Sequence, residues 1–117
     1  MTGWKRRWVR LNQKDKVLSL LGLAARAGRL ASGSTPVENA VRSGNACLVI
    51  IARDASENTG KKFRDMCTYY QVPFCTYKDR DALGHAVGKD YRAVLAVTDE
   101  GFAEGIRKEL TVRENHA

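Results

Sequence analysis

Residues 32–56, SGSTPVENAVRSGNACLVIIARDAS, decide the fold. A glycine-punctuated polar turn opens a helical pattern, a second glycine closes it, and a continuous run of β-branched residues follows. In TPVE, Thr35 is placed to cap a helix, Pro36 at the first helical position needs no donor, and Glu38 can reach back to the Thr35 amide. A helix is therefore predicted from about Pro36 to Ser43, stopped at Gly44. CLVIIA has no polar face, which predicts a strand covered on both sides.

The pattern extends outward in both directions. Upstream, KDKVLSLLGLAARAG puts Val17, Leu18, Leu21, Ala24 and Ala25 on one helical face, with Gly28 placed to stop the helix and a short strand around Leu30 after it. Downstream, a helix over about 57–71 turns Phe63, Met66, Cys67 and Tyr70 inward and Lys61, Lys62 and Arg64 outward. VPFCTY reads as a strand with Pro73 near its start. RDALGHAVG reads as a short helix after an Asp79 cap, stopped by Gly88. AVLAVT is a second doubly covered strand, and DEGFAEGIRKEL closes the pattern with Phe102, Ala103, Ile106 and Leu110 at helical spacing. Helices alternating with strands predict an α/β domain over residues 14–110, a three-layer α/β/α sandwich with a small mixed four-stranded sheet and about five helices. The tail, 111–117, is expected to fray.

A chain of 117 residues, 44% hydrophobic and 28% charged, holds one domain and no apolar run long enough to cross a bilayer. Its net charge of +7 points to polyanions, nucleic acid first. Part of that excess sits in the arm 1–13, MTGWKRRWVRLNQ, which has Lys5, Arg6, Arg7 and Arg10 and no acid, leaving 16 basic against 13 acidic residues in the remainder. Trp4 and Trp8 among those cations suit stacking on unpaired bases; a disordered extension has the same composition. The arm with VLSLLGLAARA superficially resembles a secretory signal, but Asp15 and Lys16 abut the apolar run, which is amphipathic. Three cysteines without CxxC spacing or a histidine cluster predict neither a disulfide framework nor a metal site, and fit a reducing, cytoplasmic compartment. No phosphate-binding loop, dinucleotide fingerprint or zinc-protease motif is present, and His85 has no nameable catalytic partner, so neither enzyme nor cofactor is expected.

The capping box explains Thr35, Pro36 and Glu38 but not Gly33. A glycine there admits a close approach, and with Ser34 and Thr35 it presents amides and hydroxyls at the positive end of a helix. Such an end suits a phosphate or a polar base edge.

The series GLAARAG, GSTPVENAVRSG, LVIIARDAS, YYQVPF, LGHAVGK and AVTDEGFA, running from about Lys14 to Leu110, resembles the kink-turn RNA-binding superfamily of archaeal and eukaryotic ribosomal proteins, in particular its small bacterial YlxQ-like branch. The resemblance implies a sandwich that grips a sharply bent RNA internal loop, with the turn at Gly33 facing tandem sheared G·A pairs. It makes Gly33 the glycine that lets the helix end enter the major groove, and Ser34 the small hydroxyl beside it. Where the family has Asn then Glu to read guanine edges, this chain has Thr35 and Pro36, and a proline side chain accepts no hydrogen bond. Asn39 replaces a residue that is usually basic. Ser56 and Arg80 match positions that hold a flipped-out nucleotide. GKDYRA matches the segment over the three-nucleotide bulge, where Lys89, Tyr91 and Arg92 offer stacking and phosphate contacts. Arg29 and Arg42 flank the turn, Arg42 reading better as solvated surface, and Tyr91 has a competing reading as half-buried core.

The expectation is thus a monomeric, cytoplasmic, non-enzymatic protein binding structured RNA, with kink-turn loops of ribosomal or regulatory RNA as its target. A protein-interaction module on the same fold is the alternative, as is general RNA binding through the arm.

Overall fold

The computed structural model describes residues 15–116. The readings made of the arm fall outside the described residues. Helix α1 (Lys16–Arg26) starts where Asp15 accepts the Leu18 amide at 3.1 Å. It ends in a Schellman turn: Gly28 has φ +72°, and the Arg29 amide returns to the Ala24 carbonyl at 2.8 Å. Then follow β1 (Leu30–Ser32), α2 (Ser34–Arg42), β2 (Leu48–Ile51), α3 (Glu57–Tyr70), β3 (Phe74–Thr76), α4 (Arg80–Ala86), β4 (Val94–Val97) and α5 (Glu100–His116). The last helix runs past Leu110, where the sequence pattern closes.

The sheet has the order β1-β4-β2-β3. Strand β4 is antiparallel to β1 and β2, whereas β2 and β3 are parallel, so the sheet is mixed as expected. Every residue of β2 and β4 is buried. Because neighbours along a strand face opposite ways, Leu48, Ile50, Leu95 and Val97 pack with α1, α4 and α5, while Val49, Ile51, Val94 and Ala96 pack with α2 and α3. These are the two cores of a three-layer sandwich. Each of these Val, Leu and Ile side chains contributes roughly 1.5–3 kcal/mol by leaving water, which explains why Leu48–Ile51 and Val94–Val97 carry no polar position.

Two local readings are corrected. Helix α2 begins at Ser34 with Gly33 as its cap residue, so Thr35 does not cap and Pro36 is third in the helix. The cause is tertiary: the Gly33 amide already bonds the Val94 carbonyl at 3.1 Å, and Glu38 is drawn to Lys62 at 2.9 Å and Arg42 at 3.0 Å, away from the helix start. Tyr70 is not part of the buried face. It is 39% exposed, with its ring edge-on to Tyr69 at 4.9 Å. Fourteen helical residues reach roughly 21 Å, longer than the four-residue β2 beneath them, so the last turn of α3 overhangs the sheet. Phe63 and Cys67 are buried as expected, and burial pushes the Cys67 thiol up to about 11.

Candidate nucleic-acid interface

The sheet register brings the ends of β1, β2 and β3 together with the start of β4: Ser32 pairs with Leu95, and Ile51 with both Val94 and Thr76. A helix follows each of the first three strands, so α2, α3 and α4 all begin at this one end. Their starts differ. Helix α3 has the Ser56 hydroxyl on the Thr59 amide and Glu57 in its first turn; α4 has Asp79 on the Ala82 amide and Asp81. Helix α2 has no capping side chain and no acid in its first turn. The amides of Ser34 and Thr35 have no partner among the described residues, and Pro36 has no amide to offer. Two donors therefore stand open at a positive helix end. Gly33 makes this possible, because φ +101° with ψ 163° is a conformation essentially reserved for glycine.

The one carboxylate of α2 acts elsewhere. Hydrogen bonding to Lys62 holds the Glu38 carboxyl below its ordinary value, helped by the charges of Lys62 and Arg42 and opposed by desolvation. This pins α2 to α3 and leaves the α2 start without a negative charge.

The segment before β4 supplies the other wall. Arg92 Nε lies 4.0 Å from where a Cβ on Gly33 would sit, buried and without a hydrogen-bond partner among the described residues, while Arg92 Nη1 donates to the Tyr91 carbonyl at 2.7 Å. The Arg92 amide bonds the Arg80 carbonyl at 3.1 Å. The Arg80 guanidinium in turn lies 5.7 Å from the centre of the Tyr91 ring. Asp54 holds Arg80 twice, accepting its amide at 2.9 Å and facing its Nε at 3.4 Å. Tyr91 is 56% exposed, so its reading as half-buried core fails and its ring is an open platform. The reason lies beneath it: the backbone, not the ring, packs on α4. A Cβ on Gly84 would fall 2.3 Å from Tyr91 Cα. Only a residue without a side chain lets this segment lie on the helix and turn the ring outward.

Gly33, Ser34, Thr35, Arg80, Tyr91 and Arg92 thus form one group, with Ser56 at the same end and Asn39 exposed one turn along α2. Ser56 spends its hydroxyl locally, accepting the Thr59 amide at 3.1 Å and donating to Thr59 Oγ1 at 2.9 Å. Lys89 is exposed just past α4, its amide on the Gly84 carbonyl at 2.8 Å. Arg29 is not brought to the turn. It stands at the opposite end of β1, its carbonyl accepting the Thr98 amide at 3.0 Å. Arg42 is tied to Glu38. Sequence reasoning missed Asp54 and Gly84. A glycine inside a predicted helix was a usable signal for the second; Asp54 gave none, because its partner is 26 residues away.

Among the described residues no three His, Cys, Asp or Glu side chains group to hold a metal ion, and no helix is long and apolar enough to cross a membrane.

Residues 15–106 match the family described as Ribosomal protein L7Ae/L30e/S12e/Gadd45. The chain is 49% identical over 84 residues to the RNA-binding protein YlxQ of Bacillus subtilis (strain 168), covering 72% of this chain and 84% of that protein. It is 38% identical over 91 residues to the RNA-binding protein YlxQ of Enterococcus faecium, covering 78% and 87%. Among solved structures, a protein with unknown function from Bacillus halodurans superposes with TM-score 0.77 at 45% identity, over 80% of this chain and 94% of that one. The Giardia lamblia 15.5kD RNA binding protein shares the fold, with TM-score 0.70 at 23% identity over 82% of each chain. Two core layers around a mixed sheet, a glycine-led helix start and the match over residues 15–106 lead to one conclusion: the chain belongs to the Ribosomal protein L7Ae/L30e/S12e/Gadd45 family.

Proposed function

We propose that this protein binds structured RNA without catalysing a reaction on it, and that it grips a kink-turn-type internal loop of ribosomal or regulatory RNA where α2, α3 and α4 begin. The observation that carries the reading is the bare start of α2: two open amides, no carboxylate, and Arg92 beside them. Unpaired and sheared bases present edges and faces that a regular A-form helix hides. Here the amides of Ser34 and Thr35 address acceptors on the RNA, and Tyr91 offers a stacking face with the Arg80 charge above it. Pro36 cannot read a base edge, so recognition rests on backbone donors and shape. The names of the two bacterial relatives support RNA as the ligand. The protein acts as a cytoplasmic monomer; an odd number of cysteines without CxxC spacing supports the reducing compartment.

The test is a titration against a kink-turn duplex and the same duplex with its G·A pairs replaced by Watson–Crick pairs, at two salt concentrations, with chains containing and lacking residues 1–13. The intact kink-turn is expected to bind at least tenfold tighter, about 1.4 kcal/mol, with or without the arm. Equal binding of the two duplexes, lost with the arm, overturns the reading. Exposed Tyr69, Tyr70 and Phe74 favour a second reading, a protein-interaction module. Binding through such exposed apolar side chains would change little with salt, whereas RNA binding weakens steeply.

A further inference from the structure

Beside the α2 start runs a groove of about 530 Å³, between the last turns of α1 and α4 and along Leu30 and Ser32 of edge strand β1. Arg26, His85 and Lys89 line it, and among the described residues no carboxylate does. None of these three side chains has a hydrogen bond or ion pair among the described residues, a state they share with Arg29, Arg53, Lys61, Arg64 and Arg107, whereas Lys16, Arg42, Lys62, Lys78, Arg80 and Lys108 each face a carboxylate; what sets the groove apart is that three such groups line it together. The larger groove along α5 differs: Glu100 and Glu104 line it beside Arg107 and Lys108, and Glu104 faces Lys108 at 3.6 Å.

The floor is set by close helix contact. A Cβ on Gly22 would fall 2.8 Å from the Ala86 carbonyl oxygen, so α1 and α4 touch and the groove stays an open trough. Its β1 wall has no second partner strand among the described residues. The Arg29 carbonyl and the Gly33 amide point across to Thr98 and Val94, and antiparallel alternation turns the backbone groups of Leu30 and Ser32 the other way. Arg26 also sits in a last helical turn, where a cation offsets the helix dipole. That role does not explain Lys89, which lies beyond Gly88, or the lack of any acid.

Resting on the RNA-binding reading above, we propose that this trough carries the sugar–phosphate backbone of the RNA strand leaving the α2 start. Ser32 lines the trough and adjoins Gly33, so trough and interface are continuous. Unpaired cations beside outward backbone donors match a phosphate chain, and the open shape admits a strand passing through.

The experiment compares two RNAs, a minimal bend and the same bend with both flanking helices extended, binding to the wild-type chain and to Arg26→Gln, His85→Gln and Arg107→Gln. On the extended RNA, Arg26→Gln is expected to lower the slope of log affinity against log salt by about 0.7–0.9, which trims the loss between 50 and 200 mM salt by about threefold. His85→Gln is expected to weaken extended-RNA binding, and Arg107→Gln to match wild type. On the minimal bend all three variants should match wild type. An Arg26→Gln slope equal to wild type on the extended RNA overturns the proposal, as does an equal loss on both RNAs accompanied by a lower melting temperature, which marks a dipole role alone. Wild-type chain that binds neither RNA overturns the interface reading itself, a distinct result.

Discussion

Helices α2 and α5 begin at opposite ends of the same antiparallel strand pair, and their first turns are built in opposite ways. At α5, Asp99 accepts the Phe102 amide at 3.0 Å and Glu100 adds a second carboxylate, so the positive end is neutralised from within. At α2, a glycine with φ +101° leads into two open amides, the nearest acid is committed to α3, and an arginine stands alongside. A first-turn carboxylate contributes roughly 0.3–1 kcal/mol. The fold takes that stabilisation at α5 and forgoes it at α2, so one helix start is neutralised from within and the other keeps its positive end open.

The comparison breaks first at Gly33. Gly33→Val forces a β-branched side chain into glycine's conformation and should cost roughly 1–3 kcal/mol in denaturant unfolding, with RNA affinity falling more than tenfold. An unchanged midpoint would mean that the α2 start does not need its glycine. Next comes Thr35→Asp, which gives α2 a carboxylate like that of α5. RNA affinity should fall about tenfold while stability holds or rises by roughly 0.3–1 kcal/mol; effects of the same sign on both would sink the distinction. The reciprocal change, Asp99→Ala, should cost about 1 kcal/mol of stability and leave RNA titrations within about twofold.

The smallest effect is a pH dependence. The folded pKa of Glu38 lies below its ordinary 4.5, so its contribution is present above that value and is lost as pH falls through the folded pKa. Urea midpoints of wild type and Glu38→Gln should therefore differ near neutrality and converge in acid. A gap that persists at low pH would mean that Glu38 acts by packing rather than charge.

Much of this architecture is legible in the chain because local and tertiary demands agree there. The unbroken apolar runs at Leu48–Ile51 and Val94–Val97 admit only a doubly covered sheet, and glycines 28, 44 and 88 stop helices where positive φ requires them. The reading slips where a distant partner decides. TPVE has the right residues for a capping box, but Val94, far along the chain, captures the Gly33 amide and moves the helix start forward. Tyr91 reads both as a stacking residue and as half-buried core from its place before a strand, and only the bare surface of Gly84 sends its ring outward. Arg29 lies four positions before Gly33, yet a three-residue strand separates them by about 10 Å or more. Nearness in sequence did not become nearness in space.

The pairing of β1 with β4 sets a timetable. Leu30 faces Val97 across the sheet, so the first strand stays unpartnered until the last strand has been made. At about 5–20 residues per second, the stretch from Gly33 to Val94 takes roughly 3–12 s to synthesise. Throughout that interval the α2 start lacks the carbonyl that orients Gly33, along with Arg92 and Tyr91. A nascent chain thus acquires the geometry of this helix start only once β4 has been made, and a chain cut short before β4 has the residues of the glycine turn but not its geometry.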